Sequence, residues 1–254
     1  MTIADRRNKI LFLPVIRGNY PAELTKATKT VMREVVAKLG VDGIFPDDGL
    51  YTEGVIRADD DVRAYAGVWT RDLAEIQALV VFSGDFMRER AVQDSVRLLP
   101  QDVPVFLIVN NDDPNDMSGS KVGDSLCGSL SVHHNLRMLG RRIIGSCRIK
   151  MQDRAMLTLF LARYTRISEG IETLRNMRIA AIGVNPNEFA TTFTNQIKLF
   201  ELGFSLQTYE LITLWGDTVL AAQAEDGATS YRGPFGEVAL SRPIRRNDRR
   251  LADL

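Results

Sequence analysis

Residues 76–82 have the sequence Ile76-Gln77-Ala78-Leu79-Val80-Val81-Phe82 and are followed by Ser83-Gly84-Asp85. A short, nearly continuous apolar run that ends in turn-forming residues is typical of a strand buried on both faces of a sheet. The pattern recurs at residues 10–15, 103–109 and 178–184, and more weakly at 44–46, 142–148 and 204–211. These runs predict parallel strands, with cover on both faces of each sheet.

Between the strand signals, apolar residues recur at spacings of three and four, which is the helix period. Pro21 is expected in the first turn of the first helix, and Asn185 is expected to cap the last one. Residues 227–236 have the composition of a loop. The predicted helices cover residues 24–39, 59–73, 87–99, 126–139, 153–176 and 186–202.

Alternating strands and helices with short links predict an α/β fold. Five strand signals end near residue 148, and a new unit opens at Arg178. We therefore place a first α/β domain at residues 1–175 and the start of a second, incomplete one at 176–254.

The composition excludes several classes of protein. The chain has 254 residues with 32 basic and 32 acidic side chains, so no bulk positive charge steers it toward nucleic acid. No apolar run approaches the roughly 20 residues that a membrane helix needs. The two cysteines, Cys127 and Cys147, cannot build a disulfide framework, which favours a reducing, cytoplasmic compartment.

Ligands of open parallel sheets bind beyond the carboxyl ends of the strands. That rule selects the polar loops at residues 17–20, 83–85, 110–128 and 185–188. Together they could hold a polyol, although surface loops are polar in any case. Neither a dinucleotide fingerprint nor a P-loop follows any strand, which argues against nucleotide binding.

Metal and nucleophile motifs are also weak. The two histidines, His133 and His134, are adjacent on a helix and point about 100° apart, so they do not chelate one metal. Two acidic pairs could bind a hard cation, but solvated turn residues are the favoured interpretation of Asp47-Asp48 and Asp112-Asp113.

Cys127 opens a helix, where the helix dipole could activate its thiol. A small, buried thiol is the favoured interpretation. Five arginines between residues 242 and 250 are interpreted as a solvated face or a frayed end.

Three stretches share their order and spacing with one known family. The first is an apolar strand leading into Pro14-Val15-Ile16-Arg17-Gly18. The second is Asp124-Ser125-Leu126-Cys127-Gly128, followed by a helix that ends at Leu139-Gly140-Arg141. The third runs from Ile182-Gly183-Val184-Asn185-Pro186 to Thr191-Thr192-Phe193. Together they resemble the N-terminal half of the L-fucose isomerase and L-arabinose isomerase superfamily, over most of the chain.

The resemblance implies two Rossmann-like domains and an aldose–ketose isomerase, an intramolecular oxidoreductase of carbohydrate metabolism. It implies a homo-oligomer, in which the first domain helps to complete a neighbouring subunit's active site. It also implies a divalent metal, usually Mn²⁺, held by acidic residues and a histidine in later parts of the chain. By position, the sugar-contacting residues would be Arg17, Tyr20, Ser83, Gly84, Ser125, Cys127 and Gly128.

Two departures refine this expectation. Arabinose isomerases carry a histidine where this chain has Cys127, which favours the fucose-isomerase-like branch. No stretch matches the family's metal-binding motifs, so we expect no metal on residues 1–254 and no isomerisation by this segment alone. The alternative is a non-catalytic sugar-binding module of two domains. A racemase with cysteines facing across two domains is disfavoured, because both cysteines lie in the first unit.

Overall fold

The fold is described from a computed structural model. It covers residues 7–18, 20–49, 54–112, 124–175, 177–184, 193–212, 230–233 and 236–239, the last two ranges as backbone. The chain divides into two compact units, Met1–Thr173 and Leu174–Leu254. Each unit is described by itself.

The first unit contains a five-stranded sheet in which every pair of neighbouring strands is parallel, as the apolar runs predict. The strands are β1 (Lys9–Pro14), β2 (Asp42–Ile44), β3 (Ile76–Ser83), β4 (Val105–Asn110) and β5 (Ile143–Ile149). Their order in the sheet is β2-β1-β3-β4-β5, so the chain crosses over between strands that are not consecutive in sequence. The α/β fold class is thereby confirmed.

Strand β3 occupies the centre of the sheet, and all eight of its residues are buried. Alternate side chains enter two separate cores, because successive residues of a strand point to opposite faces. Leu79 and Val81 join one core, whereas Val80 and Phe82 join the other. This two-sided burial explains why the strand reads as a continuous apolar run rather than as an alternating one.

Helices cover both faces of the sheet. They are α1 (Glu23–Lys38), α2 (Asp59–Trp69), α3 (Glu89–Leu98), α4 (Ser125–Met138) and α5 (Arg154–Arg175), with a 3-10 helix at Thr70–Glu75. The core on one face takes apolar residues from α2, α3 and α4, and the core on the other takes them from α1 and α5. None of the helices in the described part of the chain is both long and apolar enough to cross a membrane.

Several predicted boundaries need correction. Helix α1 begins at Glu23 with Ala22 as its N-cap, so Pro21 lies before the helix and not in its first turn. The helix predicted to run to residue 73 leaves the α conformation after Trp69 and continues as the 3-10 helix. The weak signal at residues 44–46 corresponds to the short edge strand β2, which ends at Ile44.

The described part of the second unit contains a parallel pair, β6 (Arg178–Ile182) and β7 (Ser205–Tyr209), with α6 (Gln196–Glu201) between them in sequence. Asn195 caps α6 through its side chain, and residues 193–195 are not helical. The continuous helix predicted over 186–202 is therefore wrong at that point. The predicted cap at Asn185 and the arginines from residue 242 onward lie outside the described residues.

The loop predicted at residues 227–236 is partly wrong. An antiparallel hairpin forms there from β8 (Ser230–Gly233) and β9 (Gly236–Ala239). Its four-residue strands are too short for sequence periodicity to separate from a loop.

Candidate functional site

The loops after β1 and β3 meet the start of α4 at the carboxyl edge of the sheet. The Arg17 amide donates to the Phe86 carbonyl oxygen at 2.8 Å, which joins the first two loops. The Asp124 amide, at the N-cap of α4, donates to the Asp85 carboxylate at 3.1 Å, which joins the third segment. We call the five residues of this meeting point the carboxyl-edge cluster: Arg17, Tyr20, Asp85, Phe86 and Ser125.

The Phe86 ring is the centre of this cluster. The Arg17 guanidinium carbon lies 4.9 Å from the ring centroid, a cation–π distance. The Tyr20 ring stacks on it, with centroids 5.9 Å apart and planes inclined by 28°. Arg17 is exposed and the two aromatic rings are half-buried, so a charged group and two aromatic groups face solvent together.

Tyr20 packs against a small cluster of buried apolar residues, Ile16, Ala22 and Val55. Its amide also donates to the Arg17 carbonyl oxygen at 3.0 Å, which closes the turn after β1. The ring position is therefore fixed by packing as well as by the stack on Phe86.

Ser83 and Gly84 lie beneath this surface. Ser83 is fully buried, and its hydroxyl donates to the Asp85 carbonyl oxygen at 2.9 Å. The Gly84 amide donates to Thr25 Oγ1 at 2.9 Å, and a Cβ at Gly84 would lie 2.8 Å from Leu24 Cγ. Only glycine allows α1 to come so close, so these two residues shape the turn and hold it against α1.

Asp85 connects this turn to α4. Its Oδ1 accepts hydrogen bonds from the amides of Phe86 at 2.8 Å and Asp124 at 3.1 Å. Burial raises the pKa of the Asp85 carboxyl above its usual value, and the negative charges of Asp112 and Asp124 add to this effect. The carboxyl of Asp85 is therefore easier to protonate than that of a solvated aspartate.

Ser125 begins α4 and is fully buried. Its hydroxyl lies 2.7 Å from both the Asn110 carbonyl oxygen and Asp112 Oδ2, and its amide donates to Asp112 Oδ2 at 3.1 Å. A carboxylate that accepts a hydrogen bond from a first-turn amide is also stabilised by the positive end of the helix dipole. Asp112 thus connects the start of α4 to the end of β4. The interpretation of Asp112 as a solvated turn residue is therefore incomplete, because its carboxylate is bound to Ser125. Asp113 lies outside the described residues.

Gly128 and Cys127 lie on opposite sides of the first turn of α4, Gly128 on the buried side and Cys127 on the exposed side. A Cβ at Gly128 would lie 2.7 Å from the Met87 amide nitrogen, so the helix rests directly on the backbone after β3. Cys127 is exposed, and the interpretation as a buried thiol is wrong. The first-turn position faces solvent because Ser125, Gly128 and Ser129 form the buried side of the helix.

The side chains of the described residues do not fit a divalent metal. Across that part of the chain, His, Cys, Asp and Glu form no group of three or more that could hold an ion. His133 and His134 are exposed, and His133 Nδ1 is 2.8 Å from the Ser129 carbonyl oxygen. Asp48 is committed to ion pairs with Lys29 and Arg33, and Asp47 accepts from the Gly49 amide at 2.7 Å.

The seven residues selected from the sequence therefore separate into two groups. Arg17, Tyr20 and Cys127 present side chains at or near the surface of the carboxyl edge. The other four are buried and hold the loops in place: Ser83, Gly84, Ser125 and Gly128. Sugar contact by any of the seven stays a prediction.

Sequence reasoning did not single out Phe86. An apolar residue just after a strand resembles any core residue, and only its contacts with Arg17 and Tyr20 distinguish it. Asp85 lies within a loop selected from the sequence, but its contact with the Asp124 amide could not be foreseen.

Comparison with protein families places the chain in one group. Residues 12–185 match the model of the fucose/sulfoquinovose isomerase N-terminal domain. The match covers more than half of the chain and includes all five residues of the carboxyl-edge cluster. The chain therefore belongs to this isomerase family, as the resemblance predicted. Among curated proteins, the comparison found no match to this chain.

Proposed function

We propose that this chain is the sugar-contacting N-terminal region of a metal-dependent aldose–ketose isomerase of the L-fucose isomerase type. The enzyme would be an intramolecular oxidoreductase of carbohydrate metabolism in the cytoplasm. Family membership supports the reaction class. The convergence of Arg17 and Tyr20 on the Phe86 ring supports the position of the sugar contact.

The carboxyl-edge cluster has the chemistry that a sugar requires. Small-molecule sites combine apolar walls with a few well-placed polar groups. The half-buried faces of Tyr20 and Phe86 would cover the C–H face of a sugar, and the Arg17 guanidinium would donate to its hydroxyls. These three groups come from two loops, so their meeting depends on the fold.

Isomerisation moves a hydrogen between two neighbouring carbons of the sugar. That transfer needs an acid or base within hydrogen-bond reach, and in this proposal Mn²⁺ would polarise the substrate oxygens. The described residues have no suitable set of metal donors, so we assign them no step of the proton transfer. We propose that the metal ligands belong to a part of the enzyme beyond Leu254, as the family resemblance implies.

The proposed enzyme is a homo-oligomer. In that assembly the carboxyl edge of this domain would face the catalytic part of a neighbouring copy. The exposed positions of Arg17 and Cys127 are compatible with such a shared site.

A ketol isomerisation assay tests the proposal. Purified 1–254 and a chain extended to the natural stop codon are incubated with Mn²⁺ and L-fucose, D-arabinose, L-arabinose or sulfoquinovose. We expect metal-dependent turnover of at least one sugar by the extended chain and none by 1–254. Sugar binding without turnover by both chains would favour a non-catalytic sugar-binding module. Equal turnover by 1–254 would place the chemistry in this segment.

A further inference from the structure

A cavity lies at the opposite end of α4 from the carboxyl-edge cluster. Its volume is about 690 Å³, within the range of small-molecule sites. Helix α4 has 14 residues, which places the cavity about 20 Å from the first turn. The lining residues come from the last turns of α4 and the start of β5: His133, His134, Arg137, Gly140, Arg141, Arg142 and Ile143.

The lining is strongly basic. Three arginines and both histidines of the chain face this cavity, and no carboxylate lines it within the described part of the chain. The side chains of Arg137 and Arg142 are exposed, and neither pairs with a described carboxylate. Because the whole chain has zero formal charge, this is a local concentration of positive charge and not a consequence of composition.

Arg141 adds a buried charge to the wall. It is 4% exposed and donates to three carbonyl oxygens, those of Leu99 at 3.3 Å, Pro100 at 2.8 Å and Val103 at 3.0 Å. These carbonyl oxygens are neutral acceptors, so the hydrogen bonds leave the net charge of Arg141 in place. Among the described carboxylates, the one with an electrostatic interaction with the Arg141 guanidinium is that of Asp102, which is exposed.

A second cavity, between α2 and α3, provides an internal comparison. Its volume is about 510 Å³ and it also contains three arginines, Arg63, Arg90 and Arg97. There, Asp59 and Asp94 share the lining, and Arg97 pairs with Asp94 at 3.4 Å. Its cations are therefore offset by carboxylates, whereas those at the end of α4 are not.

Helix stabilisation explains only part of the basic cluster. A cation in the last turn of a helix interacts favourably with the negative end of its dipole, which accounts for Arg137. Arg142 lies beyond the turn at Gly140 and outside the helix, so the dipole gives no reason for its charge. The helix end carries only about half a negative charge, which the three guanidinium groups exceed.

We propose that this cavity binds a phosphate monoester carried by a small metabolite. Guanidinium groups match phosphate oxygens in geometry and form charge-assisted hydrogen bonds with them. Arg137 and Arg142 supply the exposed donors, and Arg141 supplies a fixed positive potential behind them. The His133 Nδ1 donates to the Ser129 carbonyl oxygen, so in that tautomer Nε2 is an acceptor that a hydroxyl group of the metabolite could use. This site is independent of the proposed isomerisation and lies away from its residues.

Calorimetric titration of the 254-residue chain at constant ionic strength tests the proposal. The probes are inorganic phosphate, glucose 6-phosphate, glucose and sulfate. We expect binding of both phosphates and none of glucose. Glucose 6-phosphate binding more tightly than inorganic phosphate would identify a phosphorylated metabolite as the ligand. Equal affinity for sulfate and glucose 6-phosphate, or no phosphate binding at millimolar concentration, would overturn the proposal.

The matched variants are Arg137→Gln/Arg142→Gln and, in the α2–α3 cavity, Arg63→Gln/Arg97→Gln. Each lost charge-assisted contact should weaken phosphate binding about tenfold, so the first variant should bind about a hundredfold more weakly and the second as the original chain does. All four arginines are exposed, and circular dichroism verifies that each variant is folded. Equal losses in both variants would show a nonspecific effect of charge and would contradict the assigned site.

Discussion

Gly128 of α4 lies directly against Met87, so close that a Cβ on the glycine would be 2.7 Å from the Met87 amide nitrogen. This contact sets the distance between α4 and the segment after β3. The backbone atom of Met87 cannot rotate away as a flexible side chain could. The position of Ser125 and Cys127 at the carboxyl edge therefore depends on a residue that has no side chain.

Gly128→Ala should destabilise the protein by about 1–3 kcal/mol, because overpacking forces the helix away from Met87. Gly67→Ala is the matched control, since Gly67 is also helical and a Cβ there would meet nothing within 4 Å. That change should stabilise the protein by about 0.5–1 kcal/mol through helix propensity. Urea unfolding measures both free energies, and equal effects of the two substitutions would contradict the close approach.

Asp85→Asn should change how stability depends on pH. Because the pKa of Asp85 is raised in the folded protein, its contribution to stability is fully present below the unfolded pKa. It is lost as pH rises through the folded pKa, and asparagine removes this loss. We expect the variant to be more stable than the original chain at neutral pH, but not at pH 3.

Chemical unfolding at several pH values measures this difference. Asp60→Asn, at an exposed position of α2, is the control and should show no such gain. A gain for Asp85→Asn that stays constant between pH 3 and pH 7 would contradict a titrating Asp85.

We expect the buried Lys29 side chain to stabilise the loop after β2. Its side chain is 2% exposed and donates to the carbonyl oxygens of Gly54 at 2.7 Å and Pro46 at 3.4 Å, and it pairs with Asp48. Lys29→Met removes the side-chain donor of the Gly54 carbonyl oxygen and the ion pair with Asp48, whereas the Pro46 carbonyl oxygen still accepts from Arg33 at 2.8 Å. The change should cost about 1–3 kcal/mol in unfolding free energy. Lys38→Met, at the exposed end of α1, should change stability by less than about 0.5 kcal/mol.

Thiol reactivity should separate the two cysteines. Cys127 is exposed, whereas Cys147 is buried and burial raises the pKa of its thiol, which lowers its thiolate fraction. A disulfide reagent should modify one thiol per folded chain quickly and the second only after unfolding. Cys127→Ser should abolish the fast reaction. If a sugar occupies the carboxyl edge of the complete enzyme, saturating sugar should slow the labelling of Cys127.

Arg17→Lys should weaken sugar use by the extended enzyme. Lysine keeps the charge but loses the planar group that stacks on Phe86 and its fixed set of donors. We expect kcat/KM to fall about tenfold, equivalent to about 1.4 kcal/mol. Arg71→Lys, at an exposed position of the 3-10 helix, should leave kcat/KM unchanged. An unchanged value for Arg17→Lys would remove the guanidinium from the proposed sugar contact.

The sequence predicted the structure best for strands that are buried along their whole length. Every residue of β3 is buried, so its apolar run was visible without knowledge of its neighbours. The start of α6 and the hairpin of β8 and β9 were missed, because six-residue helices and four-residue strands carry little periodic signal.

Prediction of the carboxyl edge was limited for a different reason. Residues after strands could be selected, but the sequence does not show which of their side chains face solvent. Ser83 and Ser125 are buried, and Phe86 meets Arg17 only because two crossover connections bring their loops together. Such contacts between distant segments are set by tertiary packing.

The turn after β3 is tied to two other segments through backbone atoms. The Phe86 carbonyl oxygen accepts from the Arg17 amide, and the Gly84 amide donates to Thr25 on α1. A binding surface that is ordered in advance loses little conformational entropy when a ligand arrives. If a sugar binds at this edge, little ordering should accompany its binding, and selectivity should depend on the shape formed by Tyr20 and Phe86.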